Sequence, residues 1–111
     1  MPNCYVESLM YYTNNPVAEA MRGFGVPQMA FAHESQMDEM AQLLGMDPLE
    51  IRLKNCLRKG SFTATGQRLD HSVGFEDTLR VIEPYWRERG FNKNTGYGLG
   101  SMCYGIRSLW R

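Results

Sequence analysis

The sequence predicts an α+β fold of short antiparallel strands and about three helices. Residues 4–12 are rich in aromatic and aliphatic side chains, and residues 97–106 form a glycine-rich stretch whose residues alternate between two faces; both patterns are typical of strands. Between these segments, apolar residues recur at three- and four-residue spacing, which predicts helices. A chain of 111 residues buries roughly two-thirds of its unfolded surface, so one modest core is expected.

The first strand is predicted over residues 4–12, and the turn formers at 13–16 end it. A glycine-containing loop then leads into a helix at 27–44, because proline suits the first helical turn. Gly45 ends this helix as a C-terminal cap. An apolar stripe predicts the side of the helix that packs in the core, and its members are Met29, His33, Met37, Met40, Ala41 and Leu44.

A second helix is predicted from Pro48 to about Leu57. Asp47 precedes it as an N-cap, and Glu50 completes a capping box. After a loop that carries the turn at 65–67, the spacing of apolar residues predicts a third helix over 75–83. Pro84 is expected to end or kink that helix, and the last strand is predicted over residues 97–106.

Charge and cysteine content limit the classes of partner. Twelve basic and twelve acidic residues cancel, so we predict neither a nucleic-acid nor an anionic membrane partner. No apolar run approaches the length that spans a bilayer. Cys4, Cys56 and Cys103 lack the spacing of a structural zinc site or a disulfide framework. Reduced cysteines predict a cytoplasmic location.

The loop at residues 20–28 is the stretch that packing explains least. Gly23 and Gly25 allow a close approach of the main chain to a bound group, and the N-terminus of the next helix favours an anion. Arg22 adds a guanidinium suited to phosphate or an oxyanion, and Phe24 offers a flat face to a heteroaromatic ring. A turn that packs its aromatic ring into the core explains the same residues, so the local pattern leaves both interpretations open.

Ordered motifs along nearly the whole chain carry a family resemblance. They are Thr13-Asn14, residues 20–28, Glu34, Leu44-Gly45, Asp47-Pro48, residues 51–55 and Thr65-Gly66-Gln67. Together they resemble the molybdenum hydroxylases, the xanthine dehydrogenase and aldehyde oxidase family, from about Pro2 to about Gly105. Met21 stands where other members often carry phenylalanine. The resemblance implies that residues 1–106 are a partial molybdopterin-binding domain and that residues 107–111 are a divergent tail.

The resemblance implies an oxidoreductase that hydroxylates purines, N-heterocycles or aldehydes at a molybdenum-molybdopterin centre, with water as the oxygen source. Arg22, Gly23 and Gly25 match cofactor-binding positions of the family, and Phe24 matches the aromatic residue that stacks on the substrate. The family's catalytic glutamate lies beyond the matched sequence. We therefore expect a fragment without catalytic residues or metal ligands, inactive and without bound cofactor when alone. The implied partners are the remainder of the molybdenum subunit and the iron–sulfur and FAD subunits or domains.

A second hypothesis is a small self-associating α+β module, or a degenerate remnant that binds no cofactor. Apolar surface and strand edges that lack a cover favour association, so we expect a homo-oligomer in isolation. His33 is expected to be a packed histidine rather than a metal ligand. We expect Arg52 and Glu34 to tie helices together and Asn55 to have a structural role.

Overall fold

The computed structural model describes residues 3–19, 21–90 and 92–104. These residues form three helices: α1 is Val26–Leu43, α2 is Pro48–Asn55 and α3 is Phe75–Arg87. Helix α2 packs against both of the others. The first helix differs by one residue at each end from its predicted range, 27–44, and so confirms that prediction.

Helix α2 begins where the capping residues predict. Asp47 accepts a hydrogen bond from the backbone N–H of Leu49 at 2.8 Å, and Pro48 occupies the first helical turn. The helix ends at Asn55, two residues before its predicted end. There the Asn55 side-chain amide donates to the carbonyl of Ile51 at 2.8 Å, which confirms its structural role.

Helix α3 continues through a proline. The prediction that this helix covers 75–83 and ends or kinks at Pro84 was wrong about the end, because the helix extends to Arg87 with Pro84 inside it. Proline removes one helical hydrogen bond, but its own carbonyl still accepts the N–H of Glu88 at 3.0 Å. The additional turn brings Trp86 into the core. Burial of so large an aromatic side chain offsets the lost hydrogen bond.

The core lies between α2 and α3. It consists of Leu49, Leu53, Cys56, Leu79 and Trp86, with Phe75, Ile82 and Leu99 packed against it. Of the residues in α1, Ala41 alone is buried, whereas Met29, Met40 and Leu44 are exposed. The prediction that the apolar stripe of α1 packs in the core holds for Ala41 and was wrong for Met29, Met40 and Leu44, since the other two helices fill the core with their own side chains.

The predicted α+β class was also wrong. The described ranges contain no strand, and their β pairing is limited to isolated bridges between Phe62 and Arg68 and between Asn92 and Thr95. Residues 4–12 and 97–104 form no ladder, and residues 105–106 and the tail at 107–111 lie outside the described residues. A strand needs a neighbour to satisfy its N–H and C=O groups. Neither segment has such a neighbour within the described part of the chain.

The segment at residues 3–19 leaves much apolar surface uncovered. Its exposed large apolar side chains are Tyr5, Val6, Leu9, Met10, Tyr11, Tyr12 and Val17. The radius of gyration is 17.0 Å, compared with about 13 Å for a compact domain of similar length. Neither α1, α2 nor α3 is long and apolar enough to cross a membrane.

Candidate functional site

Three consecutive residues of the loop before α1 have left-handed backbone angles. The φ angles are +125° at Gly23, +52° at Phe24 and +86° at Gly25. Glycine adopts such angles readily, but phenylalanine is strained there by roughly 1–2 kcal/mol. The Phe24 ring is 92% exposed, which excludes the interpretation that it packs into the core of this chain. Strained backbone that presents an exposed aromatic ring is characteristic of a functional site.

The two glycines of this loop have different surroundings. A Cβ atom at Gly23 would lie 2.9 Å from Cδ and 3.2 Å from Cγ of Pro27, so Gly23 makes room for the first turn of α1. A Cβ atom at Gly25 would meet nothing within 4 Å. The side of the loop that another molecule can approach closely is therefore the one at Gly25.

N–H groups without a described acceptor and an exposed guanidinium lie where the loop meets α1. The N–H groups of Val26 and Met29 donate to loop carbonyls at 3.0 and 3.1 Å. Those of Gly25 and Gln28 donate to no described residue, and they carry the partial positive charge of a helix N-terminus. Arg22 is exposed and forms no ion pair with the described residues. These donors suit an anionic group.

An apolar groove of about 300 Å³ lies beside the loop. Its lining residues are Phe24, Gly25, Val26, Met29, His33 and Cys103. The side chain of His33 is 46% exposed, with its Nε2 atom 3.5 Å from Oε1 of Glu34, so the prediction of a packed histidine was wrong. Cys103 was not predicted at this site, because no motif links it to the distant loop.

A buried guanidinium joins α1, α2 and the segment at residues 97–104. Arg52 Nη2 lies 2.6 Å from Glu34 Oε2 and 2.8 Å from Asp38 Oδ1. Its Nη1 donates to the carbonyl of Pro48 at 2.8 Å, and Nη2 donates to that of Leu99 at 3.1 Å. The arginine side chain is 2% exposed. Arg52 and Glu34 thus tie helices together, as predicted.

The carboxylate of Glu34 is held on both of its oxygens. Oε2 accepts from Arg52 Nε at 2.8 Å, and Oε1 accepts from the hydroxyl of Ser101 at 2.8 Å. Burial acts to raise the pKa of Glu34, but the Ser101 hydrogen bond and the Arg52 guanidinium outweigh it, so the pKa lies below its ordinary value. Glu34 is therefore a structural anion between the groove and the core.

The donors around the loop fit one kind of ligand. Within the described ranges, no three histidine, cysteine, aspartate or glutamate side chains converge as metal ligands. The loop instead offers a guanidinium, helix N–H groups, an open glycine and an aromatic face. This set fits an anionic ligand with a planar ring system.

Residues 1–56 match the family of the molybdopterin cofactor-binding domain. The chain belongs to this family. It is 51% identical to the nicotinate dehydrogenase large molybdopterin subunit of Eubacterium barkeri over 79 residues, which cover 71% of this chain and 19% of that protein. It is 40% identical to the xanthine dehydrogenase molybdenum-binding subunit of Escherichia coli over 107 residues, which cover 87% of this chain and 14% of that protein.

A solved structure agrees with these relatives. The aldehyde oxidoreductase from Desulfovibrio gigas aligns with a TM-score of 0.57 and 43% identity, over 61% of this chain and 7% of that one. The chain thus spans less than a fifth of the length of the relatives it matches. The loop at residues 21–25 lies within the part that matches the family. The family resemblance predicted from the motifs, and the molybdopterin cofactor it implies, are confirmed.

Proposed function

We propose that this chain supplies the loop at residues 21–25 to the molybdenum-cofactor site of a xanthine dehydrogenase-like hydroxylase. The observation that carries the proposal is the strained, exposed Phe24 inside the segment that matches the molybdopterin family. When bound, the cofactor supplies the redox chemistry that hydroxylates purines, N-heterocycles or aldehydes with oxygen from water. The chain itself supplies binding groups and not a catalytic residue.

Each residue of the loop has a role that follows from its chemistry. The guanidinium of Arg22 and the N–H of Gly25 bind anionic oxygens of the cofactor. The ring of Phe24 stacks against a heteroaromatic substrate, because its face is exposed beside the apolar groove. The open space at Gly25 allows the bound group to approach the main chain. Gly23 contributes indirectly, because it lets the loop pack closely against Pro27.

The remainder of the site belongs, in this proposal, to the rest of a molybdenum subunit. The chain covers 14% of the Escherichia coli relative, whose name describes a subunit of a larger enzyme. Iron–sulfur and FAD subunits or domains carry the electrons away. The exposed free thiols of Cys4 and Cys103 support a reducing, cytoplasmic setting.

A chimaera tests this function with matched variants. Residues 3–104 replace the corresponding segment of the Escherichia coli xanthine dehydrogenase subunit, and bound molybdenum and steady-state xanthine oxidation are measured. We expect Arg22→Met to weaken cofactor retention roughly tenfold or more, the effect of losing a hydrogen bond from a charged group. We expect Phe24→Ala to keep the molybdenum and raise KM roughly three- to tenfold, the effect of losing an aromatic contact.

Two variants serve as controls in the same chimaera. Arg68→Met removes an exposed arginine that pairs with Asp70 at 3.0 Å, and Phe31→Ala removes an exposed phenylalanine on α1. Both should leave the molybdenum content and KM unchanged. The proposal is wrong if the unmodified chimaera folds without molybdenum, or if the loop variants and their controls behave alike.

The segment at residues 3–19 favours a second function, self-association. It carries exposed aromatic and aliphatic side chains along its length, and its backbone pairs with no other described element. The exposed side chains of Tyr5, Tyr11 and Tyr12 can bury about 500 Å² of surface in each chain. When the neighbouring Val6, Leu9 and Met10 are added, two chains together can bury roughly 1,600 Å², the area of a stable interface. Antiparallel pairing of two copies would also give this segment its missing strand partner.

Light scattering coupled to size-exclusion chromatography tests self-association in a dilution series. We expect the chain to be a dimer or larger, and the double variant Tyr5→Asp with Tyr11→Asp to shift it to a monomer. Val81→Asp removes an exposed apolar side chain from α3 and should leave the assembly intact. A monomeric parent chain at high concentration would contradict this second function and leave the cofactor proposal standing.

A further inference from the structure

We propose that Ser101, Glu34 and Arg52 form a latch that holds residues 97–104 against α1 and thereby positions Cys103 as a wall of the groove beside Phe24. In this arrangement Arg52 and Ser101 are positioning residues. This proposal rests on the proposed function in one respect, namely that the groove beside Phe24 is part of the ligand site. The geometry of the latch is independent of any cofactor.

Hydrogen bonds of Leu99 and Ser101 join the segment at residues 97–104 to the helices, and the Ser101 backbone N–H also donates to Glu34. The hydroxyl of Ser101 donates to Oε1 of Glu34 at 2.8 Å, and the carbonyl of Leu99 accepts from Arg52 Nη2 at 3.1 Å. The Leu99 side chain also packs against the core. Since the segment has no strand ladder, its position depends on these few contacts.

The latch positions Cys103 at the groove because Glu34 and Ser101 both lie close to groove residues in the sequence. Glu34 follows His33 on α1, and His33 lines the groove together with Cys103. Ser101 precedes Cys103 by two residues, so its bond to Glu34 fixes the thiol over the same helix. Loss of this bond would free the end of the segment from α1 and open the groove on that side.

Arg52 makes the acceptor of the latch rigid. The guanidinium binds Oε2 of Glu34 through Nε and Nη2, which leaves Oε1 directed to Ser101. Its other donors are held by the carbonyl of Pro48 and by Asp38. Hydrogen bonds to ionised groups are stronger than neutral ones. The carboxylate therefore offers Ser101 a fixed, charged acceptor.

A fluorine label on Cys103 reports the position of the wall. In the full chain with Cys4→Ser, trifluoroacetonylation labels Cys103, because Cys56 is buried. We expect a ¹⁹F resonance distinct from that of the unfolded labelled chain. Phe24→Ala should shift this resonance, because the ring that lines the same groove is lost.

Ser101→Ala removes the hydroxyl that donates to Glu34 and so weakens the latch, whereas Ser101→Thr restores a hydroxyl at the same position. In Ser101→Ala we expect the ¹⁹F resonance to move towards the unfolded position and to respond less to Phe24→Ala. Ser101→Thr should retain the parent behaviour. Ser61→Ala, which removes the hydroxyl that accepts from the Arg58 N–H, is the control.

Two results would overturn the latch. One is an unchanged resonance in Ser101→Ala; the other is a Ser101→Thr variant that behaves like the alanine variant. Circular dichroism of each variant shows whether the helices are retained, and an altered resonance with intact helices is the expected result. No cofactor is present in these measurements, so failure of the latch and failure of the cofactor proposal are separate outcomes.

Discussion

The indole Nε1 of Trp86 donates a hydrogen bond to Oδ1 of Asp47 at 2.8 Å, the same oxygen that accepts the N–H of Leu49. Trp86 lies on α3 and Asp47 caps α2, so one carboxylate joins the two helices that form the core. Arg89 completes the arrangement: its Nη2 lies 3.3 Å from Asp47 Oδ2, and its guanidinium lies 3.8 Å from the centroid of the Trp86 ring.

Asp47→Ala should lower the free energy of unfolding by about 2–4 kcal/mol. Loss of the N-cap accounts for about 1 kcal/mol, and a buried indole N–H left without an acceptor costs about 1–3 kcal/mol. Asp47→Asn keeps an acceptor oxygen and should cost less. Urea unfolding followed by circular dichroism measures the difference. The exposed Asp70, paired with Arg68, is the control, and its alanine variant should change stability by less than about 1 kcal/mol.

Stability should also fall in acid, in part because of the half-buried carboxyl groups of Asp47 and Glu34; the pKa values of Glu76 and Glu83 are lowered as well. Burial acts to raise the pKa of Asp47, but hydrogen bonds from the Leu49 N–H, Trp86 and Arg89 outweigh it and hold the pKa below its ordinary value. The pKa of Glu34 is lowered in the same way. The unfolded chain therefore binds more protons than the folded chain in acid. The free energy of unfolding should be constant above about pH 5 and decrease as the pH falls below about 4.

Urea unfolding between about pH 7 and pH 3 measures this dependence, with an acid loss of roughly 1.4 kcal/mol for each unit of pKa shift. Glu34→Gln and Asp47→Asn should each be less stable than the parent chain at neutral pH and lose less stability on acidification. If the free energy of unfolding depends on pH in the same way in the parent chain and in both variants, neither carboxylate causes the loss of stability in acid.

The sequence predicted what short-range chemistry determines. The start of α2 followed from Asp47 and Pro48, because a side-chain oxygen and a ring with fixed φ act within one turn. The loop at residues 21–25 was predicted for the same reason, since glycine angles are a local property. The motifs of the chain were specific enough to indicate the molybdopterin family, which the family match confirmed.

The remaining features depend on distant partners. Residues 4–12 have the composition of a strand, but composition does not supply the neighbouring strand that a ladder requires. The apolar stripe of α1 has the correct period, yet Met29 and Met40 remain exposed because the core fills between α2 and α3. The position of Cys103 beside the loop depends on tertiary hydrogen bonds of residues 97–104 that no local pattern encodes.

The two loop glycines should respond differently to alanine. Gly23→Ala combines a φ of +125° with a Cβ atom 2.9 Å from Pro27 Cδ, so we expect a loss of about 2–4 kcal/mol from backbone strain and overpacking. Gly25→Ala has a strained φ of +86° but open space around the Cβ atom. It should cost about 1 kcal/mol. Thermal unfolding of both variants tests this order, and equal losses would contradict it.

Phe24→Gly removes a large aromatic residue, yet it should not lower the free energy of unfolding. We expect that free energy to be unchanged or to rise by up to about 1 kcal/mol. The ring is exposed and contributes little burial, whereas glycine relieves the left-handed backbone angle of +52°. Phe31→Gly provides the matched control, because Phe31 is also exposed but lies inside α1. There glycine should cost about 1 kcal/mol relative to a good helix former. Changes of opposite sign in the free energy of unfolding, measured with urea for the two variants, would show that Phe24 destabilises the fold, as expected for a residue that binds a ligand. A loss of stability at both positions would contradict that interpretation.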